Sequence, residues 1–301
     1  MAIIFRRARS QDLQRAGELV VGSMNELSER HGFGPMATVR PPSFSLFSLG
    51  DDAEGLWVAE DAGEILGFGF SWVCDDLWFL AQLFVSPGQQ AHGIGGELLK
   101  RTLHQAQKTK AATKALITFT FNTVSQGLYM RHGIFPRCPI YNFKVTRENL
   151  MNRLHGAQLR YAPIENTGSH LHRLTQIDIG ALGVSRRKHH QYLLNDGETR
   201  GVMLYANDSD ECLGYAYIAD GHIGPLAVTH PAMVGAAFWT ALSLAVDSGS
   251  TQVSAFLPGP CETALSIAVE LGMRITIPMI LMSTQDFGHW TQYLPRNPGF
   301  M

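Results

Sequence analysis

An apolar strand, a glycine-rich turn and an amphipathic helix follow one another in Leu83-Phe-Val-Ser-Pro-Gly-Gln-Gln-Ala-His-Gly-Ile-Gly-Gly-Glu-Leu-Leu99. Gly93, Gly95 and Gly96 have no side chains that would keep a ligand away from the main chain. The first amides of a helix lack partners within the helix and lie at its positive end. The stretch therefore predicts an anion site, of the kind that binds phosphate, where the helix begins.

Spacing excludes two common phosphate-binding loops at this position. A dinucleotide loop that begins at Gly93 would need a third glycine at position 98, which is Leu98. A nucleoside triphosphate loop would need a lysine after a glycine, and no lysine follows any glycine of this stretch. The anion therefore belongs to another class of ligand.

The composition is that of a globular protein with two domains. The chain has 301 residues, 45% of them hydrophobic and 17% charged, with a formal net charge of −2. This length predicts two domains of roughly 150 residues each. The small net charge gives no reason to expect a nucleic acid or an anionic membrane as partner. The longest apolar helical segment, 232–246, is shorter than the ~20 residues of a membrane span.

Cysteine and histidine usage argues against disulfides and metal ions. The cysteines form no Cys-x-x-Cys pair and no secretion signal precedes the first arginines, which predicts reduced thiols and a cytoplasmic location. The histidine pairs at 170 and 172 and at 189 and 190 have no cysteine or carboxylate at metal-site spacing, so we expect no metal. The four cysteines are Cys74, Cys138, Cys212 and Cys261.

A second polar motif follows a predicted strand at 115–121. In Asn122-Thr-Val-Ser125-Gln-Gly-Leu-Tyr129-Met-Arg-His-Gly133, the residues at 122, 125 and 129 fall on one face of a helix. Asn122 is also placed to cap that helix, and the ring of Tyr129 can pack in a core with its hydroxyl at the rim. Both a ligand site and a structural role therefore remain open for these residues.

These motifs resemble those of the GNAT N-acetyltransferase superfamily. Gln90-Ala-His-Gly93-Ile-Gly95 is similar to its Gln/Arg-x-x-Gly-x-Gly loop, which binds the diphosphate of coenzyme A, and Asn-x-x-Ser-x-x-Leu-Tyr is similar to its second cofactor motif. The predicted order between residues 3 and 146 is also that of a GNAT domain: strand, helix, hairpin, strand, glycine turn with helix, strand, short helix, strand. The resemblance implies acetyl-CoA or coenzyme A as co-substrate.

The resemblance also implies a role for each motif residue. The main chain of 83–85 would pair with the pantetheine arm, 90–96 would hold the diphosphate, and Tyr129 would be the general acid beside the thioester sulfur. Relatives often carry a glutamate base on the strand before the loop, where this chain has Gln82. Asp75, Asp76 or water remain as routes for the amine proton, and we favour water. The implied cofactor-binding residues are Leu83, Phe84, Val85, Gln90, Ala91, His92, Gly93, Ile94, Gly95, Gly96, Asn122 and Ser125.

The second half of the chain repeats landmarks of the first in the same order. Leu66-Gly-Phe-Gly-Phe70 is echoed by Leu213-Gly-Tyr-Ala-Tyr217 at an offset of 147, Gln82-Leu-Phe-Val85 by Pro225-Leu-Ala-Val228 at 143, and Arg131-His-Gly-Ile134 by Glu270-Leu-Gly-Met273 at 139. The ordered set predicts an internal duplication. In the copy the glycine loop is missing. The positions equivalent to the second motif hold Cys261, Ala264 and Ala268.

The predicted fold class is therefore α/β (α+β), with two tandem GNAT-like domains, each a mixed, mostly antiparallel twisted sheet flanked by helices. We expect a catalytic domain at 1–147 and a degenerate, non-catalytic domain at 148–301.

The expected activity is acetyl-CoA-dependent N-acetylation, with direct transfer of the acetyl group to the primary amine of a small molecule. Alternatives are a transferase for protein or peptide amines and a non-catalytic acyl-CoA-binding sensor. In GNAT folds the region 28–50 closes over the acceptor, and Phe33, Phe44 and Phe47 are candidates to line that pocket. We expect neither a nucleic acid nor a membrane as partner and leave a homodimer open.

Overall fold

The computed structural model describes residues 3–301, which form two compact units. The first unit consists of 3–135 together with Met282–Gln285, and the second of Pro136–Leu281 together with Asp286–Met301. Each unit therefore contains two separate pieces of chain.

The first unit is a mixed sheet with helices on both faces. Its strands lie in the order β1-β2-β3-β4-β5, antiparallel except for the parallel last pair. The elements are β1 (Ile4–Arg7), α1 (Leu13–Arg30), α2 (Ser43–Asp51), β2 (Leu56–Asp61), β3 (Glu64–Cys74), β4 (Leu77–Val85), α3 (Ile94–Lys108), β5 (Thr113–Phe119) and α4 (Thr123–Met130).

Side chains of β3 alternate between the two helical layers. On one face, a Cβ on Gly67 would lie only 2.9 Å from Leu98 of α3, so the missing side chain lets this helix pack close to the sheet. On the other face, the ring of Phe70 lies 5.5 Å from the ring of Phe44 of α2. Helices α3 and α2 therefore cover opposite faces of the sheet.

The second unit is a mixed sheet with the order β12-β6-β11-β10-β9-β8-β7, and a short strand, β13, pairs with β10. Helix α8 is buried along most of its length against this sheet. The elements are β6 (Phe135–Thr146), α5 (Arg147–Met151), β7 (Arg160–Pro163), α6 (Gly168–Leu182), α7 (Arg187–Asn195), β8 (Arg200–Tyr205), β9 (Cys212–Ala219), β10 (His222–Val228), α8 (Val234–Asp247), β11 (Gln252–Pro258), α9 (Glu262–Glu270), β12 (Arg274–Ser283) and β13 (Tyr293–Leu294).

Strand β6 lies in the second unit, although the predicted boundary at residue 147 places it in the first half of the chain. The reason is its pairing, because residues 140–146 are in continuous antiparallel register with 252–258 of β11. The repeat in the sequence and the compact units of the structure therefore divide the chain at different places.

The pairing of the strands repeats between the units at the positions that the sequence repeat predicts. Parallel pairing ends at Leu80 and Leu116 in the first unit and at Ile223 and Ala255 in the second. Ile223 stands 143 positions after Leu80, and Ala255 stands 139 positions after Leu116. These are two of the offsets found for the repeated sequence landmarks. The prediction of two tandem domains of mixed, mostly antiparallel sheets flanked by helices is confirmed.

We expect the free energy of unfolding to fall when the pH is lowered from about 6.5 to 4. Nε2 of His222 donates to the carbonyl of Arg296, and Nδ1 lies 2.8 Å from Ser254 Oγ, which can donate to it when the ring is neutral. Burial lowers the pKa of His222 to about 4. The unfolded chain binds a proton in this window that the folded chain does not, so stability rises with pH across it.

Urea unfolding at pH 5 and pH 7 measures the effect, which we expect to be on the order of 1 kcal/mol for this group. The variant His222→Gln keeps a donor for Arg296 and should show a smaller difference between the two pH values. An undiminished difference in the variant would contradict the assignment.

Candidate active site

Strands β4 and β5 separate in the middle of the first unit. Their parallel pairing ends at Leu80 and Leu116, yet the strands continue to Val85 and Phe119. A register shift of β4 against β3 occurs at the same level, around Ala81. Bulges of this kind bend a strand and end its pairing on one side. The last residues of β4 therefore have β3 on one side and, on the other, an edge with which no strand among the described residues pairs, called here the open edge of β4. At this edge the carbonyl of Val85 accepts from Ser23 Oγ of α1 at 3.2 Å.

The main chain of two residues faces this open edge. The amide of Ser86 donates to the carbonyl of Leu66, in register with β3, at 2.9 Å. An antiparallel ladder bonds every second pair, so Phe84 also bonds to β3, whereas Leu83 and Val85 direct their amide and carbonyl groups away from it. Of the three residues predicted to pair with a pantetheine arm, the structure places Leu83 and Val85 at the gap.

The turn that follows β4 adopts an uncommon backbone conformation. Gly93 has φ +81° and Ala91 has φ +67°, a region that residues other than glycine seldom occupy. The side chain of Gln90 donates to the carbonyl of Val85 at 3.3 Å, and the ring of His92 is exposed. Strain of this kind persists where the surrounding structure fixes it and is frequent at ligand sites.

Helix α3 begins with three amides that have no acceptor. The first bond of the helix runs from the amide of Glu97 to the carbonyl of Gly93 at 3.1 Å. Among residues 3–301, no acceptor is placed for the amides of Ile94, Gly95 and Gly96. These donors lie at the positive end of a 15-residue helix, which is the arrangement that binds an anionic group.

Gly95 and Gly96 are not required by the packing of the protein. A Cβ on Gly95 would lie 3.6 Å from Val85, and a Cβ on Gly96 would lie 4.0 Å from Leu128, which are ordinary contacts. Glycine in a helix is less favourable than alanine by roughly 0.5–1 kcal/mol. At both positions the space that a side chain would fill is therefore empty, and a ligand can occupy it.

Helix α4 carries the three polar residues of the second motif. The side chain of Asn122 caps the helix by accepting from the amide of Ser125 at 3.2 Å. The hydroxyl of Tyr129 bonds to that of Ser125, and its side chain is only 4% exposed. Burial raises the pKa of Tyr129 well above its ordinary value, although the bond with Ser125 opposes the rise. The phenol is therefore protonated at neutral pH and available as a donor.

The connection between α1 and α2 is fixed over one face of the sheet. The side chain of Asn25 makes three hydrogen bonds of 2.9 Å to the main chain of 36–37. The rings of Phe33 and His31 lie 4.7 and 5.0 Å from the ring of Phe121, which directly precedes the cap of α4. This connection therefore forms an aromatic cover beside the second motif.

Further aromatic side chains continue that face toward β4. Gln82 lies opposite Phe70 in the β3–β4 ladder, so their side chains share a face. Phe44 lies 5.5 Å from Phe70, and Phe47 lies 6.4 Å from Phe44. The side chain that replaces the usual glutamate is thus an amide on an aromatic surface.

The acidic pair Asp75 and Asp76 is remote from this region. Asp75 and Asp76 form the turn between β3 and β4, at the opposite end of β4 from Leu83. At about 3.3 Å per residue the separation is roughly 20 Å. Direct proton transfer from an acceptor amine to either carboxylate is therefore excluded.

The other reactive side chains include two buried cysteines and the histidine and acidic residues. Burial raises the pKa of Cys138 and Cys261 to about 11, which keeps both as thiols and makes them poor nucleophiles. Within 3–301, no cluster of three or more histidine, cysteine or acidic side chains is arranged to hold a metal ion. The same stretch of chain contains no helix with the length and apolarity needed to cross a membrane.

Comparisons with known proteins agree with this geometry. Residues 23–134, which include the open edge, the glycine turn and α4, match the Acetyltransferase (GNAT) family. A sequence search of curated proteins finds no match.

Solved structures share the fold over nearly the whole chain. A presumed acetyltransferase from Pyrococcus horikoshii aligns with a TM-score of 0.73 at 18% identity, covering 96% of this chain and 95% of that one. A GCN5-related N-acetyltransferase from Sphaerobacter thermophilus gives 0.66 at 15% identity, covering 96% and 98%. A tandem GNAT protein of the clavulanic acid biosynthesis pathway gives 0.62 at 14% identity, covering 94% and 98%. The chain therefore has the fold of tandem GNAT proteins, and its residues 23–134 match the acetyltransferase (GNAT) family.

Proposed function

We propose that the first unit binds acetyl-CoA and transfers its acetyl group to the primary amine of a small molecule. The observation that carries this proposal is the open edge of β4, which leads directly to the three unpaired amides at the start of α3. An extended ligand with amide groups along its length and a diphosphate at one end matches this combination.

The parts of coenzyme A fit the groups that the chain presents. The pantetheine arm carries amides that can pair with Leu83 and Val85 as an added strand. Its diphosphate would lie on the amides of 94–96, where Gly95 and Gly96 leave room for close approach. The fit therefore uses main-chain donors.

The transfer step requires a nucleophile, a donor for the oxyanion and a proton for the leaving group. The amine nitrogen attacks the thioester carbonyl, and the amides at the open edge of β4 can donate to the oxyanion that forms. The C–S bond then breaks as the C–N bond is completed, and Tyr129 donates its proton to the departing sulfur. Because its pKa is raised, this phenol transfers the proton only once charge has developed on sulfur.

Water is the proposed acceptor of the amine proton. Gln82 cannot take a proton, and the pair at 75–76 lies at the far end of β4. The face beside Gln82 is lined by aromatic rings, and desolvation there lowers the pKa of an entering ammonium group. A desolvated amine can therefore lose its proton to water without a carboxylate base.

The aromatic face beside the second motif suits a small amine as the acceptor. Asn25 fixes the connection above it, Phe33 stacks on Phe121, and the ring of His31 lies tilted against Phe121. The rings of this face are partly exposed, and they suit an amine with an apolar or aromatic body that packs on them. A screen of coenzyme A release from acetyl-CoA across small amines, amino acids and peptides tests this preference.

The second unit takes no part in the transfer in this proposal. Its equivalents of the second motif, Cys261, Ala264 and Ala268, are buried and offer no hydroxyl donor.

The absence of a glutamate at position 82 favours a second candidate function for the first unit, that of an acyl-CoA sensor without turnover. The two functions differ in what Tyr129 does.

We expect Tyr129→Phe to lower kcat by about 100-fold or more, because general acid catalysis contributes typically 10²–10⁴-fold. The KM for acetyl-CoA should change little, since Leu83, Val85 and the glycine turn supply the binding groups. Steady-state assays of coenzyme A release measure both constants. Tyr205→Phe, in the second unit, is the control and should retain the rate. A chain that binds acetyl-CoA and shows no turnover with any amine would support the sensor.

We expect Gly95→Ala to weaken acetyl-CoA binding by at least about tenfold, because the added methyl occupies room meant for the ligand. The same change should leave stability unaltered or raise it by roughly 0.5–1 kcal/mol. Titration calorimetry and thermal unfolding measure the two effects. Gly17→Ala in α1 has open space for its Cβ and is the matched control. Equal acetyl-CoA affinity in both variants would contradict the proposed phosphate site.

A further inference from the structure

The second unit has the same strand separation as the first, but its open edge is occupied by the chain itself. Beyond Ile223, β10 no longer pairs with β11, and β13 lies along β10 instead. Leu294 is opposite Leu226, and the amide of Val228 donates to the carbonyl of Gln292 at 3.0 Å. A strand of the protein thus takes the place that is open in the first unit.

The residues of β10 that pair with β13 are the repeat equivalents of Leu83 and Val85, which face the gap in the first unit. The amide of Thr229 donates to a carbonyl of β9 at 2.9 Å, so by alternation Leu226 and Val228 face away from β9. They stand 143 positions after Leu83 and Val85, the offset of the repeat. At these two positions the amides have no acceptor among the described residues of the first unit, where the carbonyl of Val85 accepts only from the side chains of Ser23 and Gln90, whereas in the second unit the main chain pairs with β13.

The residues that follow β13 are held tightly against the second unit. A Cβ on Gly224 would lie 2.7 Å from Cα of Arg296, so this glycine is required by the contact. The guanidinium of Arg296 donates to the carbonyl of Gly224 and to Thr199 Oγ1, each at 3.2 Å. In contrast to Gly95, the glycine here has no spare room for a ligand.

The end of this segment is anchored in a buried ionic cluster. Arg186, which is fully buried, pairs with Asp178 at 3.0 Å and donates to the main-chain oxygen of Met301 at 3.1 Å. The ring of Phe300 lies 4.9 Å from the ring of His189. Residues 292–301 are therefore built into the second unit along their length.

We propose that residues 292–301 are an internal occupant of the cofactor slot of the second unit. The segment gives Leu226 and Val228 the hydrogen bonds that the pantetheine arm gives Leu83 and Val85. This inference rests on the proposed function, because it compares residues 292–301 with an acetyl-CoA bound to the first unit. Its consequence is that the chain binds one acetyl-CoA, and that the second unit is complete without it.

Hydrogen exchange at single amides of the full chain, followed by NMR with and without acetyl-CoA, tests the proposal. We expect the amides of Leu226 and Val228 to be protected in both states. The amides of Leu83 and Val85 should exchange rapidly in the free chain and slow by roughly 100-fold when acetyl-CoA binds.

Each pair of amides reports on a different claim. Rapid exchange at Leu226 and Val228 in the free chain, or new protection there on adding acetyl-CoA, would overturn the internal occupant. No change at Leu83 and Val85 would instead overturn the proposed function, and with it the likeness of 292–301 to a cofactor.

Matched proline variants give a second measurement. Proline removes an amide donor and is tolerated in a strand where that amide faces no partner. Val228→Pro should therefore lower Tm by a few degrees or more, whereas Val85→Pro should leave Tm close to that of the wild type and weaken acetyl-CoA binding. A fall in Tm for Val85→Pro as large as that for Val228→Pro would overturn the distinction between the two edges.

Discussion

The separation of β4 from β5 beyond Leu80 is the constraint on which the site depends. Main-chain amides and carbonyls inside a protein need partners, and a strand that loses its neighbour must find others. In the first unit the groups of Leu83 and Val85 face a gap that ends at the turn before α3. In the second unit the equivalent groups of Leu226 and Val228 bond to 292–294. The same separation of strands thus occurs twice. In the first unit the edge of the strand is open, and in the second unit residues of the chain itself pair with it.

Sequence patterns predicted the parts of the site that depend on local chemistry. The glycine turn, the start of α3 near Gly93 and the capping role of Asn122 follow from residue type and spacing, and the structure has all three. The tandem arrangement followed from three landmarks in the same order. These features depend on a few neighbouring residues, which is why a single sequence carries them.

Features that depend on pairing between distant segments were not predictable in the same way. Residues 77–85 are apolar on both faces, so their pattern does not show where β5 departs or that the register shifts near Ala81. Strand β13 has two residues and no periodicity to detect. The pairing of β6 with β11 follows from neither composition nor spacing. The sequence left both a ligand site and a packing role open for Tyr129. Its burial and its bond to Ser125 became known only from the structure.

The filled edge also gives a physical reason for the residues that stand in the second unit. A polar side chain that has lost its ligand and is buried without a partner costs about 1–3 kcal/mol. At the positions equivalent to Asn122, Ser125 and Tyr129 the second unit has Cys261, Ala264 and Ala268, each at most 1% exposed. Small apolar side chains need no partner there. Occupation of the slot by 292–301 and the loss of the polar motif are therefore consistent parts of one arrangement, in which the second unit is stable without a ligand.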